Sequence, residues 1–114
     1  MAEGYQDMPY SKGQIVLNSG ITASNNQLKK YGQVVFIYIN PGKEDGFPQG
    51  TTIIGTIPEG FRPSNTTESG LLFNDKTPSG QLIRALAYSN GTLEIQLQSS
   101  LSPKWVNIWI MYII

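Results

Sequence analysis

Gly50-Thr51-Thr52-Ile53-Ile54-Gly55-Thr56-Ile57-Pro58-Glu59-Gly60-Phe61-Arg62-Pro63 sets how the rest of the chain is read. Residues 51–57 are β-branched except for Gly55, and such side chains favour a pleated backbone. Pro58 removes a backbone donor and fixes φ, so the strand stops there. Pro58-Glu59-Gly60 reads as a tight turn in which Gly60 takes the φ > 0 position. Phe61 is a large apolar residue just past the turn, and Pro63 holds Arg62 extended. The expected result is a strand that ends sharply, a turn, and an aromatic plug held between two prolines.

Composition narrows the possible chemistry. A chain of 114 residues makes one domain and can bury a core without staples. It has no cysteine, which excludes a disulfide framework and a thiolate metal site. It has no histidine, so the usual general base and the commonest metal ligand are missing. The formal net charge is zero, which argues against nucleic acid as a partner. Charged residues make up 14%, against roughly 25% in typical soluble domains. Asn, Gln, Ser, Thr and Gly take their place. A polar, uncharged surface suits an extracellular binding protein, or one that shares much of its surface with partners. Residues 1–10 contain Glu3 and Asp7 and no apolar run, so no signal peptide is expected. The apolar tail at 105–114 is about half the length of a membrane helix, so no membrane partner is expected. Extracellular chemistry without an export signal fits a virion component released by lysis, or an excised domain.

Working outward, residues 1–13 are polar and without period and read as a flexible leader or linker; residues 14–114 form the domain. Short strands are expected at 14–18 and 27–30, with turn residues at 19–20 and 24–27. Residues 33–40 are the clearest strand: Val34, Phe36 and Tyr38 on one face, Val35, Ile37 and Ile39 on the other. Both faces are apolar, so both need cover. Residues 41–49 read as an exposed loop. Its Glu44-Asp45 is either a cation or catalytic pair or a solvated tip, and no further oxygen ligand has matching spacing. Residues 64–69 read as a polar loop, 71–74 as a short strand and 75–80 as a turn. Residues 81–89 and 92–98 form a hairpin around Asn90-Gly91. A two-residue loop sets Tyr88 against Leu93, Leu86 against Ile95 and Arg84 against Leu97 on a core face. Ala87, Ala85 and Ile83 then share the other face with Glu94, Gln96 and Gln98. Arg84 would snorkel to the rim or pair with a buried acceptor. After a loop at 99–103, residues 105–114 make the last strand. Trp105, Asn107, Trp109, Met111 and Ile113 share one face and Val106, Ile108, Ile110, Tyr112 and Ile114 the other, so this strand too is apolar on both sides. No stretch has a helical period. The fold class is all-β, about eight short antiparallel strands in a sandwich or barrel.

Catalytic equipment is sparse. Without His or Cys, triads and dyads built on either are excluded. The eight acidic residues are scattered and form no facing carboxylate pair. No Gly-rich loop precedes a helix, so no nucleotide cradle and no cofactor are expected. The chain does not read as an enzyme. Sugar-binding chemistry remains: aromatic faces for pyranose rings and polar side chains for hydroxyls. The candidates are Trp105, Asn107, Tyr88, Asp75 and Arg62. The alternatives are that Trp105 and Tyr88 belong to the core, that Arg62 braces its loop and that Asp75 caps a turn.

Residues 54–63, Ile-Gly-Thr-Ile-Pro-Glu-Gly-Phe-Arg-Pro, closely resemble the GTLPEGFRP signature of the C-terminal head domains of tail-fibre and baseplate receptor-binding proteins in phages of Gram-positive bacteria. Leu17-Asn18-Ser19-Gly20 and Tyr31-Gly32-Gln33-Val34-Val35-Phe36-Ile37 resemble the family's opening, L-x-x-G … Y-x-K-x-G-x-V-V-x-I. Asn90-Gly91-Thr92-Leu93 and Trp105-Val106-Asn107-Ile108 with Tyr112 resemble its last hairpin and strand. The resemblance covers about residues 15–114. Lys29 and Lys30 depart from it by preceding Tyr31. It implies a jelly-roll-like head assembled as a homotrimer on a virion tail tip or baseplate. It implies a host cell-wall saccharide and other virion tail proteins as partners. The signature is structural and transfers no ligand residues. A purely structural baseplate or tail module is the alternative function.

Two doubly apolar strands in one small domain leave apolar surface that an oligomer would cover. Light scattering at micromolar concentration is expected to give a mass well above that of a single chain, with a trimer the state the resemblance implies. A monomer at that concentration would contradict this.

Overall fold

The computed structural model describes residues 10–65, 67–73, 83–97 and 102–114. Those residues form nine strands and no helix. They are β1 (Ser11–Gly13), β2 (Val16–Leu17), β3 (Thr22–Tyr31), β4 (Val34–Gly42), β5 (Gly50–Thr56), β6 (Thr67–Phe73), β7 (Ile83–Tyr88), β8 (Thr92–Leu97) and β9 (Asn107–Ile113). They build two antiparallel sheets packed as a small β-sandwich. One sheet runs β1-β3-β4-β9-β6 and the other β6-β7-β8-β5-β2. β6 belongs to both: Thr67, Glu68, Ser69 and Gly70 pair with β7, whereas Leu71, Leu72 and Phe73 pair with β9. The pairs β4–β9, β5–β8 and β6–β7 are nested, as in the rolled strip of a jelly roll.

The core lies between the sheets. β4 contributes Val35, Ile37 and Ile39, β9 contributes Ile108, Ile110 and Tyr112, and β8 contributes Leu93, Ile95 and Leu97. Alternation along β4, β8 and β9 turns the intervening side chains to the outer faces of the sheets. Asn26 extends the first sheet's edge with a side chain: its amide accepts from the Ile15 N–H and donates to the Ile15 carbonyl, both at 2.8 Å. The short β2 edge is thereby tied to β3 across the end of the sandwich.

The turn after β5 forms as its sequence requires. The Phe61 N–H donates to the Pro58 carbonyl at 3.2 Å, and Gly60 has φ +94°. Phe61 packs against the core, its ring over Gly13. The Tyr112 hydroxyl donates to the Phe61 carbonyl, and Lys30 Nζ donates to the Gly60 carbonyl at 2.8 Å. Both donors come from the opposite sheet, so the turn clasps the two layers together. Arg62 Nε donates to the Ile57 carbonyl at 2.8 Å, and the Ile57 N–H donates to the Gly91 carbonyl at 2.6 Å.

Several expectations need correction. Residues 11–13, part of the supposed leader, form a strand that pairs with β3. β3 is ten residues long and takes in the expected turn at 24–27; an irregularity between Ala23 and Asn26 absorbs it. β6 starts at Thr67, within the expected polar loop. The hairpin register is one residue away from expectation: Ala87 faces Leu93, Ala85 faces Ile95 and Ile83 faces Leu97. The loop has three residues, closed by the Gly91 N–H to the Tyr88 carbonyl at 2.9 Å, with Gly91 at φ +97° forming a bulge. The slip puts Ala85 and Ala87 in the core and leaves Arg84 exposed on the outer face. Residues 41–49 are not a solvated loop. β4 continues to Gly42, and Phe47 is fully buried. Burying a side chain of this size contributes roughly 1.5–3 kcal/mol, enough to hold the segment down. The expected turn at 75–80 lies outside the described residues.

Gly60→Val isolates the torsional requirement, because no atom lies within 4 Å of an added Cβ. A β-branched residue at this φ costs on the order of 1–3 kcal/mol. Thermal unfolding should show a clearly lowered midpoint. An unchanged midpoint would mean that the turn relaxes at no cost.

Candidate functional site

The outer face of β4 and β9 carries five cross-strand rows. Gly42 stands opposite Trp105, Tyr38 opposite Trp109, Phe36 opposite Met111 and Val34 opposite Ile113. The Asn40 and Asn107 side chains meet between the first two. No side chain in these rows is charged. Trp105 is 50% exposed, Trp109 48%, Met111 62% and Ile113 67%, so the second apolar face of both strands is open to solvent in the single chain.

The face has two halves. In the upper half the Tyr38 and Trp109 rings lie 4.3 Å apart at 33°. They floor a depression of about 290 Å³ completed by Gln27, Lys29, Tyr31 and Phe36. Trp105 lies flat over Gly42: a Cβ there would fall 2.5 Å from its ring. The missing side chain is what lets the indole rest against the strand. Between the two indoles sits an amide cluster. Asn40 Oδ1 accepts from Asn25 Nδ2 at 2.6 Å and from Ser24 Oγ at 3.5 Å, and Asn40 Nδ2 donates to Asn107 Oδ1 at 2.5 Å. The lower half, Phe36, Val34, Met111 and Ile113, is apolar throughout. Tyr31 bounds it, stacked on Tyr10 at 4.9 Å and edge-on to Phe36 at 6.0 Å.

The upper end is rigidly framed. Lys43 N–H donates to the Lys104 carbonyl at 2.9 Å, Phe47 N–H to the Pro103 carbonyl at 2.8 Å and Val106 N–H to the Pro41 carbonyl at 3.1 Å. These bonds lock the segments on either side of Trp105. Glu44 and Asp45 are exposed at the tip of this frame. Among the described residues no three metal-ligating side chains gather.

Of the five residues proposed from sequence, Trp105 and Asn107 share this face. Tyr88 belongs to the other sheet, Arg62 to the loop that follows β5, and Asp75 lies outside the described residues. Arg62 braces the turn after β5 by holding the Ile57 carbonyl. Tyr88 ends β7 on the outer face of the second sheet, half-buried beside Glu94. The five therefore do not converge on one ligand. Sequence reasoning passed over Tyr38, Trp109, Asn40 and Asn25. Trp109 was within reach, since it shares the alternation of Trp105 and Asn107.

Burial, above all, and then the charge of Glu94 and the hydrogen bond that Tyr88 donates to it push the Tyr88 hydroxyl above its ordinary pKa of 10.0; Arg84 opposes this. The folded state therefore holds that proton more tightly than the unfolded chain. The contribution is fully present below pH about 10 and is lost as the pH rises further. Denaturant titrations should show stability falling on that alkaline side, and falling less in Tyr88→Phe. An identical fall in the variant would assign the effect to other groups.

No protein-family model matches the chain, and a search of the curated proteins finds no match either.

Proposed function

We propose that the chain is the receptor-binding head of a phage tail fibre or baseplate, and that it holds a saccharide of the bacterial host surface on the outer face of β4 and β9 without chemically altering it. The observation that carries this reading is the row Trp105, Asn107, Trp109: two half-exposed indoles with an amide cluster between them. Indole faces stack on the apolar faces of pyranose rings, and amides bind the hydroxyls around the ring edge. The likeness of residues 54–63 to the head-domain signature supports the biological setting, and a small β-sandwich agrees with it. No cofactor is needed for this role. The lower half of the face favours a second contact. Met111 and Ile113 have only apolar neighbours across the strand pair, which suits packing against other copies in a homotrimer or against another virion protein. A module whose only role is that packing is the alternative reading.

The two halves can be tested apart. Trp109→Ala should weaken retention on isolated cell walls by roughly fivefold or more, since stacking of a ring on an indole is worth about 1 kcal/mol. Met111→Ser should leave wall binding in place and lower the assembled mass. Binding of a neutral sugar should survive high salt, because no counterions are released, and the saccharide should be recovered intact by mass analysis. If no wall retains the wild-type protein, the packing-only reading replaces this one.

A further inference from the structure

We infer that Asn40 is a positioning residue that fixes the Asn25 and Asn107 amides beside the indoles, so that the face selects a saccharide by its adjacent hydroxyls; this rests on the saccharide-binding reading above.

Asn40 is only 6% exposed. A buried amide is costly unless its polar atoms are bonded, and both ends of this one are. The fold does not ask for it: the other β4 side chains on this face are Val34, Phe36 and Tyr38, all apolar or aromatic, and an aliphatic residue would continue the series. A second observation comes from the neighbouring strand. The β3 ladder is irregular between Ala23 and Asn26, so that Ser24 and Asn25 leave the register and turn their side chains onto Asn40. Such irregularities re-aim side chains. Two strands thus converge on one buried amide, and the residues it holds flank the aromatic row.

The polarity of the arrangement matters. Asn107 gives its oxygen to Asn40, and Asn25 gives its nitrogen. Neither amide can turn over on its own without losing that bond. Two amides pinned in opposite senses, with no charged group in the cluster, suit neighbouring hydroxyls that donate to one partner and accept from the other. A carboxylate or phosphate would find no counter-charge among these amides; Lys29 stands opposite Phe36, two rows away, in the depression beside Trp109.

The test uses the whole chain with Asn40→Asp and Asn40→Leu, and Asn40→Ser should either fail to fold. Aspartate still accepts from Asn25 and Ser24 but cannot donate to Asn107, whose amide is then driven to turn over. The probes are glucose, galactose, mannose, rhamnose and N-acetylglucosamine, titrated while the proton–nitrogen spectra of the asparagine side chains are followed. The Asn25 and Asn107 amide signals should shift on binding. Asn40→Asp should change the order of preference among the sugars and weaken the best one about tenfold, with the thermal midpoint near wild type. Asn40→Leu should weaken all of them. Wild-type order and affinity in a folded variant would overturn the inference and leave the saccharide reading standing. Failure of the wild-type protein to bind any of these sugars or isolated cell walls would overturn both.

Discussion

The peptide unit at Ile57 is the point on which the two layers depend. Its N–H goes to the Gly91 carbonyl in the hairpin tip, and its carbonyl is held by Arg62 from beyond the turn. Pro58 follows at once and ends the ladder, so β5 finishes at a fixed place. From there Phe61 enters the end of the sandwich, and its carbonyl receives the Tyr112 hydroxyl from the far sheet. Each such hydrogen bond contributes about 1 kcal/mol net, and together they set where one sheet lies over the other. Tyr112 is the inward neighbour of Met111 and Ile113, so the bracket also fixes the strand that presents the candidate site.

Local chemistry made much of this legible. Prolines and a glycine within six residues of Ile57 dictate a strand, a stop and a turn, whatever surrounds them. Alternation was equally decisive on β4 and β9, where both faces were assigned correctly and the apolar outer face was foreseen. The hairpin register was not available in this way. Asn90-Gly91 serves a two-residue or a three-residue loop, and the choice is made by contacts from outside the hairpin. Gly91 lies against Arg62 and the Ile57 carbonyl, where a Cβ would fall 2.5 Å from Arg62 Nε. Phe47 was hidden for a related reason: a run with glycines, prolines and charges looks solvated, yet one ring anchors it in the core.

The candidate site was half legible. Trp105 and Asn107 follow from parity along one strand, whereas grouping them with Tyr88 and Arg62 required knowing which sheet each strand joins. Pairing between β4 and β9 joins residues far apart in sequence, and only that pairing brings Asn40 to Asn107 and Tyr38 to Trp109. Asn25 is further still from any local rule, because it acts through an irregularity in β3 that resembled a turn.

β6 gives the sandwich a mechanical character. Two sheets held only by side-chain packing can slide, since dispersion and burial have little directional grip. Here one strand passes from the second sheet into the first between Gly70 and Leu71, pairing on each side. A sideways load on the β9 sheet reaches the β8 sheet through covalent backbone and two hydrogen-bonded ladders. The layers behave as one bent plate, stiff in shear, and a pull applied at the aromatic face is shared by the whole domain.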